Sequence, residues 1–288
     1  VDEAAREKLK KLVSKIVGLP TLPSILAKIN QMMLDPNTSA QQVGALISGD
    51  PTMASRVLRI VNSSFYGFPN RINTVSHAIV ILGFNSVKSI VLSSSIFDAF
   101  GAAKKKTAYD RSEFWKHSIG CGVACRVIAR RLGMPAEEEF FIAGLLHDIG
   151  KIILDQHLHN QFEDVLSLVD AEDVLMLEAE ERVIGVTHAE LGGWLFTKWG
   201  LHTGLVAGVT HHHLPATAPP GVVYPHVIHL ADILTRALGI GSGGDRRIPR
   251  LDRDSWFKLW LDEMHIEPLL VETDAEFDKA IVFLDFIK

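Results

Sequence analysis

Apolar residues recur along this chain at intervals of three and four, the spacing that lines one face of an α-helix. Val43, Leu46 and Ile47 form one such stripe, Met53, Val57, Leu58 and Val61 a second, and Val87, Ile90, Val91 and Phe97 a third. Polar residues punctuate the stripes as helix ends do. Thr38 and Gln41 have capping-box spacing, and Asp50 before Pro51 reads as an N-cap followed by a first-turn proline. Asn85 can cap the third stripe and Gly101 close it. Further along, Asp110 and Gly133 bracket a stripe of Phe114, Cys121, Cys125, Ile128 and Leu132, while Thr187 with Glu190 opens a helix that Gly200 ends. Only Val75–Leu82 and Val222–Val223 leave room for a brief strand. The pattern predicts an all-α protein.

The lysine run Lys104, Lys105, Lys106 after Gly101 is the clearest break, and divides the chain into 1–105 and 106–288. A second break is the glycine-rich stretch Gly239–Pro249, which lacks the Lys-Ser/Thr of a phosphate-cradling P-loop and reads as a flexible connection. With 288 residues, 47% of them hydrophobic and 22% charged, the chain can bury a substantial core. Its net charge of −5 is opposite to what a phosphate-backbone grip needs, so no nucleic acid is expected as a partner. Val1–Lys15 is charged and has no apolar signal-peptide core, and no apolar run reaches the roughly 18 residues of a membrane span. Cys121 and Cys125 are not a C-x-x-C pair and read as free buried thiols. These features give the expectation of a cytoplasmic protein without a membrane partner.

Histidine distribution changes the picture. Of 13 histidines, all but His77 and His265 lie between His117 and His229. His117 lies on the apolar stripe after Asp110, with Glu113 one turn earlier. Alone, His117 reads as a core histidine bonded to a carbonyl, and Glu113 as the N3 partner of a capping box. The next predicted helix carries His147, Asp148 and Lys151 among Ala143, Gly144, Leu145, Leu146, Ile149 and Gly150. Burying that much polarity without partners costs several kcal/mol. His188 falls in the first turn after Thr187. His211, His212 and His213 end the apolar run Leu205–Val209, and three consecutive histidines diverge, so two at most reach one site. Asp232 follows Leu230 and Ala231 in an apolar helix, after His226 and His229. Imidazoles and carboxylates from separate helices suit iron, manganese, zinc or nickel better than magnesium or calcium.

The order His117, His147-Asp148, Asp232 resembles the H…HD…D pattern of the HD superfamily of metal-dependent phosphohydrolases. His147-Asp148-Ile149-Gly150-Lys151 resembles the HDIGK segment of its HD-GYP branch, and His188, the pair His211-His212 and Glu113 occupy that branch's additional positions. The Gly-Tyr-Pro motif after the histidine pair is absent: Leu214 and Pro215 follow, and Tyr224-Pro225 lacks a preceding glycine. In the first half, Leu19-Pro20-Thr21-Leu22-Pro23, Asp50-Pro51, Val61-Asn62-Ser63-Ser64-Phe65-Tyr66-Gly67, Ala78-Ile79 and Leu82-Gly83 are similar to the HDOD domain, a relative of HD-GYP in bacterial signalling proteins.

The resemblance implies an HD-type helical core preceded by an N-terminal helical subdomain. It implies two divalent transition-metal ions, iron or manganese before zinc or nickel. Asp148 would bridge them, with His117, His147 and Asp232 on one and His188, His211 and His212 on the other. Glu113 is a further candidate ligand, and Lys151 would steady a phosphate oxygen beside Asp148. Two functions follow: a phosphohydrolase acting on a phosphodiester or nucleotide, or a non-catalytic signalling scaffold that binds metal, a nucleotide or a protein. A phosphate-containing small molecule and signalling proteins are the expected partners.

Overall fold

The computed structural model describes residues 24–100 and 109–286. Val1–Lys15, the Leu19–Pro23 motif, Gly101 and the lysine run lie outside them. Among the described residues every regular element is a helix and there is no strand, so Val75–Leu82 is helical and Val222–Val223 precedes a helix.

One compact unit contains helices α1 (Ser24–Met33), α2 (Ala40–Ser48), α3 (Pro51–Val61), α4 (Val75–Leu82) and α5 (Phe84–Phe100). Val43, Ile47, Val57, Ile60, Val61, Val87, Ile90 and Val91 are buried in it. Asp50 caps α3 by accepting from the backbone N–H of Thr52 and Met53, ahead of Pro51. The capping box of α2 sits one residue later than the spacing predicts, on Ser39 and Gln42. The Thr38 hydroxyl instead donates to the Met32 carbonyl, which commits it to the turn leaving α1. Asn85 lies inside α5, which begins directly after Gly83, so it is not the cap. Residues 275–286 join this unit, a division the expected 106–288 span did not contain. Phe283 is buried edge-on to Phe65 at 5.3 Å, and Arg59 pairs with Asp285.

The other unit is built on α6 (Arg111–Arg131), opened by Asp110, which accepts from Ser112 and Glu113 N–H. Phe114, Trp115, Ile119, Cys121, Ala124, Cys125 and Ile128 are all buried, so α6 is enclosed on most sides, as a core helix is. Both cysteines are free thiols. α7 (Glu137–Leu146) and α13 (Tyr224–Ala237) pack on α6. α8 (Ile149–His157), α9 (His159–Glu172), α10 (Met176–Val183), α11 (His188–Lys198), α12 (Thr203–His211) and α14 (Arg253–Lys258) complete the bundle, and α15 (Ile266–Ala280) follows. Arg111 and Asp155 form a buried pair that ties α6 to α8. No described helix is long and apolar enough to cross a membrane.

Candidate metal centre

The sequence predicts one helix through His147, Asp148 and Lys151, but the structure breaks it. α7 stops at Leu146, and Asp148 has left helical geometry (φ −98°, ψ 8°) before α8 starts at Ile149. The break places His147 and Asp148 at the mouth of two helices, so their side chains reach the same point. α11 approaches closely here: a Cβ at Gly150 would overlap the His188 carbonyl, so only glycine fits.

Asp148 is the hub and is fully buried. Its Oδ2 lies 3.3 Å from His147 Nε2 and 3.8 Å from His117 Nε2. Its Oδ1 lies 3.0 Å from His188 Nε2 and 3.7 Å from His212 Nε2. Lys151 Nζ donates to Oδ2 and, at 2.7 Å, to the Gly243 carbonyl. Asp232 comes from α13, with Oδ1 3.1 Å from His117 Nε2. Ligand atoms within 4.8 Å of one another form two groups that share Asp148. One is His117, His147 and Asp148, and the other is Asp148, His188, His212 and His213.

Three rings are oriented the same way. His147 Nδ1 donates to the Gly144 carbonyl at 2.6 Å, His212 Nδ1 to the Val209 carbonyl at 2.7 Å and His188 Nδ1 to Glu180 at 2.7 Å. Because each Nδ1 faces an acceptor it carries a proton, so Nε2 is the nitrogen turned toward the cluster and the one that can give up its proton to hold a cation. His213 Nε2 meets His188 Nε2 at 2.9 Å.

Imidazole nitrogens and carboxylate oxygens therefore converge with little hydrogen bonding among them. His147 Nε2, His212 Nε2 and His117 Nδ1 are buried with no hydrogen-bond partner, and the close approaches of His117 Nε2 to Asp232 and of Asp148 Oδ1 to His188 lack hydrogen-bond geometry. Each such group left unsatisfied costs about 1–3 kcal/mol. A cation on either side of Asp148 would satisfy these groups by coordination, so the residues present fit a divalent metal centre. The mixed imidazole–carboxylate set suits a first-row transition metal.

Electrostatics agree with that reading. Burial alone would raise the Asp148 carboxyl, but the charges of His147, Lys151 and His188 outweigh it and hold Asp148 well below the ordinary carboxylate range. Asp232 is likewise held low against burial, by Arg236 and His117. Burial pushes His117 down, and it acts with neighbouring imidazoles to push His212 and His213 well down, so these rings are neutral. His147 and His188 are raised instead, because Asp148 and Glu180 outweigh burial.

The structure thus gathers His117, His147, Asp148, Lys151, His188, His212 and Asp232. It does not gather His211 or Glu113. His211 Nδ1 meets the Thr217 hydroxyl at 2.8 Å on the outer side of α12, and His213 stands in the cluster where the sequence reading put His211. Carrying the buried stripe Leu205, Val209 forward by three and four residues gives His212 and His213, so the helical spacing itself points to these two rings. Glu113 is part-exposed and pairs with Lys116. His188 is wholly buried although it opens its helix.

Two residues went unnoticed in the sequence. Glu180 is fully buried on the same face of α10 as Met176 and Ala179 and accepts both the ring and the backbone N–H of His188. Arg236, one turn after Asp232, donates to it at 2.8 Å and to Asp245 at 2.7 Å. An acid on an apolar stripe and an i, i+4 Asp–Arg pair are both visible in sequence.

The HDOD domain family model matches residues 19–215. An uncharacterized protein of Treponema pallidum (strain Nichols) is 25% identical over 210 residues, 72% of this chain and 40% of that protein. The chain thus spans less than half the length of this curated relative. An HDOD domain protein of unknown function from Geobacter sulfurreducens has a similar solved structure, with a TM-score of 0.80 and 25% identity over 99% of this chain and 97% of that one. A candidate phosphohydrolase from Shewanella amazonensis SB2B shares the fold, with a TM-score of 0.74 and 22% identity over 99% and 98%.

Proposed function

The chain belongs to the HDOD domain family, and on that premise we propose that its central cluster is a dinuclear transition-metal centre serving a bacterial signalling protein that acts on a phosphodiester or nucleotide. His117, His147 and Asp232 would hold one ion, His188, His212 and His213 the other, and Asp148 both. The carrying observation is the set of buried, partnerless imidazole nitrogens around a carboxylate that is itself held ionised. Iron or manganese is the choice the family resemblance favours, and zinc and nickel accept the same mixed donor set. When bound, such a centre supplies Lewis acidity and water acidified to near neutral pH.

The chain's own residues supply orientation and charge. Glu180 and the Gly144 and Val209 carbonyls fix the tautomer of three rings, so ligand basicity and direction are set before any ion arrives. Lys151 offers a buried ammonium beside Asp148 for a phosphate oxygen. The fold shared with a candidate phosphohydrolase supports this reading by analogy.

A second reading is a binding or scaffold module without turnover, working through signalling partners. One observation favours it: the cavity beside His188, His213 and Lys151 measures about 10 Å³, room for one water at most. Metal-loaded protein assayed against cyclic dinucleotides, nucleotides and a generic phosphodiester separates the two. The phosphohydrolase reading expects turnover that His147→Ala and Asp148→Ala each abolish. Turnover that survives both, or none in metal-replete protein, overturns it.

A further inference from the structure

The glycine-rich stretch after α13 is not a loose connection. Ser242 N–H donates to the Glu113 carbonyl at 3.0 Å. Gly241 (φ +62°) packs so closely on the start of α6 that a Cβ there would overlap His117 N and the Glu113 carbonyl. The next residues reach the two cations of the site. The Gly243 carbonyl accepts from Lys151 Nζ at 2.7 Å, and Asp245 Oδ1 accepts from Arg236 at 2.7 Å. Asp245 Oδ2 also accepts the Met176 N–H at the start of α10. Lys151, Arg236 and Asp245 line the same small cavity as His188 and His213.

Arg236 holds Asp232 through Nε and therefore has a structural task. That task leaves the outer edge of its guanidinium to find a second anion, and the anion it finds is a carboxylate presented by the loop. A guanidinium fork and an ammonium beside the same cavity match the oxygens of a phosphate group. Here those positions are filled by one carbonyl and one carboxylate two residues apart. The stretch 241–247 is also tied down by Ser242 N–H on the Glu113 carbonyl and by Arg247 on Asp173. Its contacts to Lys151 and Arg236, including the Arg247 carbonyl on Arg236 at 3.0 Å, are ones that phosphate oxygens can replace.

We propose that Lys151 and Arg236 form the anion pocket of this site, that its ligand class is a phosphate or phosphoester, and that Asp245 with the Gly243 carbonyl occupies the pocket from within. Residues 241–247 are then a latch that withdraws when a phosphate group takes over their two cations. The proposal rests on reading the site as one for a phosphate-bearing ligand, but needs no metal to be bound.

Its test is calorimetric titration of inorganic phosphate into metal-stripped protein, with hydrogen exchange of 241–247 followed by mass spectrometry. Asp245→Asn keeps an oxygen for the Met176 N–H and removes the competing charge, so it binds phosphate about tenfold tighter than wild type. Gly241→Ala lifts the latch sterically and moves affinity the same way, with faster tryptic cleavage at Arg246 and Arg247. Arg236→Gln loses the gain when combined with Asp245→Asn. In wild-type protein, saturating phosphate accelerates exchange across 241–247. Exchange unchanged at saturation, folded single variants no tighter than wild type, or a gain that survives Arg236→Gln overturns the proposal. Metal binding with no phosphate effect would sink the latch alone, and a phosphate effect in protein that never takes up metal would sink the metal centre alone.

Discussion

The ring N–H and the backbone N–H of His188 both end on one oxygen of Glu180, at 2.7 and 2.8 Å, with both residues fully buried. A carboxylate in this position decides which imidazole nitrogen faces the cluster and makes that nitrogen a better donor. Glu180→Gln keeps the shape but can present its amide N–H to the ring, which favours the opposite tautomer. The expected result is a loss of metal affinity of about 10–100-fold at one of two sites, read by competition with a chromogenic chelator. Unchanged affinity at both sites would make Glu180 a fold residue only.

Neighbouring histidines should behave oppositely. His211 bonds Thr217 at the part-exposed end of α12, so His211→Ala should change stability by no more than about 0.5 kcal/mol and leave metal content intact. His213 belongs to the cluster, so His213→Ala should deplete one metal site while the fold persists. Elemental analysis of the two variants side by side checks this. Depletion in His211→Ala and not in His213→Ala would restore the motif-based assignment.

The two classes of histidine predict a pH profile. In metal-free protein, burial holds His117, His212 and His213 below the ordinary imidazole value of 6.5. A lowered histidine makes stability fall as pH drops through 6.5, because the unfolded ring takes a proton that the folded one refuses. His147 and His188 are raised, so their contribution is complete below 6.5 and is lost as pH rises through their folded values. Metal-free protein should therefore melt highest near neutral pH and lower on both sides. Asp148 and Asp232 are held low, so their contribution is present above 3.8 and withdraws only in strong acid. Bound metal competes with protons for the same nitrogens, so it should abolish the alkaline decline. Thermal melts from about pH 5 to 9, with and without metal, test this. An alkaline decline that persists in loaded protein would contradict it.

Much of the fold is legible in the residue pattern, because helical spacing and caps are local. Asp50-Pro51, Asp110 and the Thr187–Glu190 box all act as read. The errors arose where tertiary demand competes with a local rule. Thr38 serves the end of the preceding helix, so the cap shifts to Ser39. An unbroken helix through His147 and Asp148 would aim the two side chains apart, and the observed break aims both at one point. Which two of three histidines turn inward depends on where α12 ends, and motif order does not encode that. A glycine-rich stretch such as 241–247 gains its partners only on folding, so its pattern does not show them.

The most direct test of the account is the metal content of the protein purified after expression with iron or manganese and without added chelator. Elemental analysis should find about two transition-metal ions per chain, falling to near zero in an Asp148→Ala variant that circular dichroism shows to be folded. Wild-type protein that stays metal-free under both supplements, or a folded Asp148→Ala variant that keeps its full complement, would contradict it.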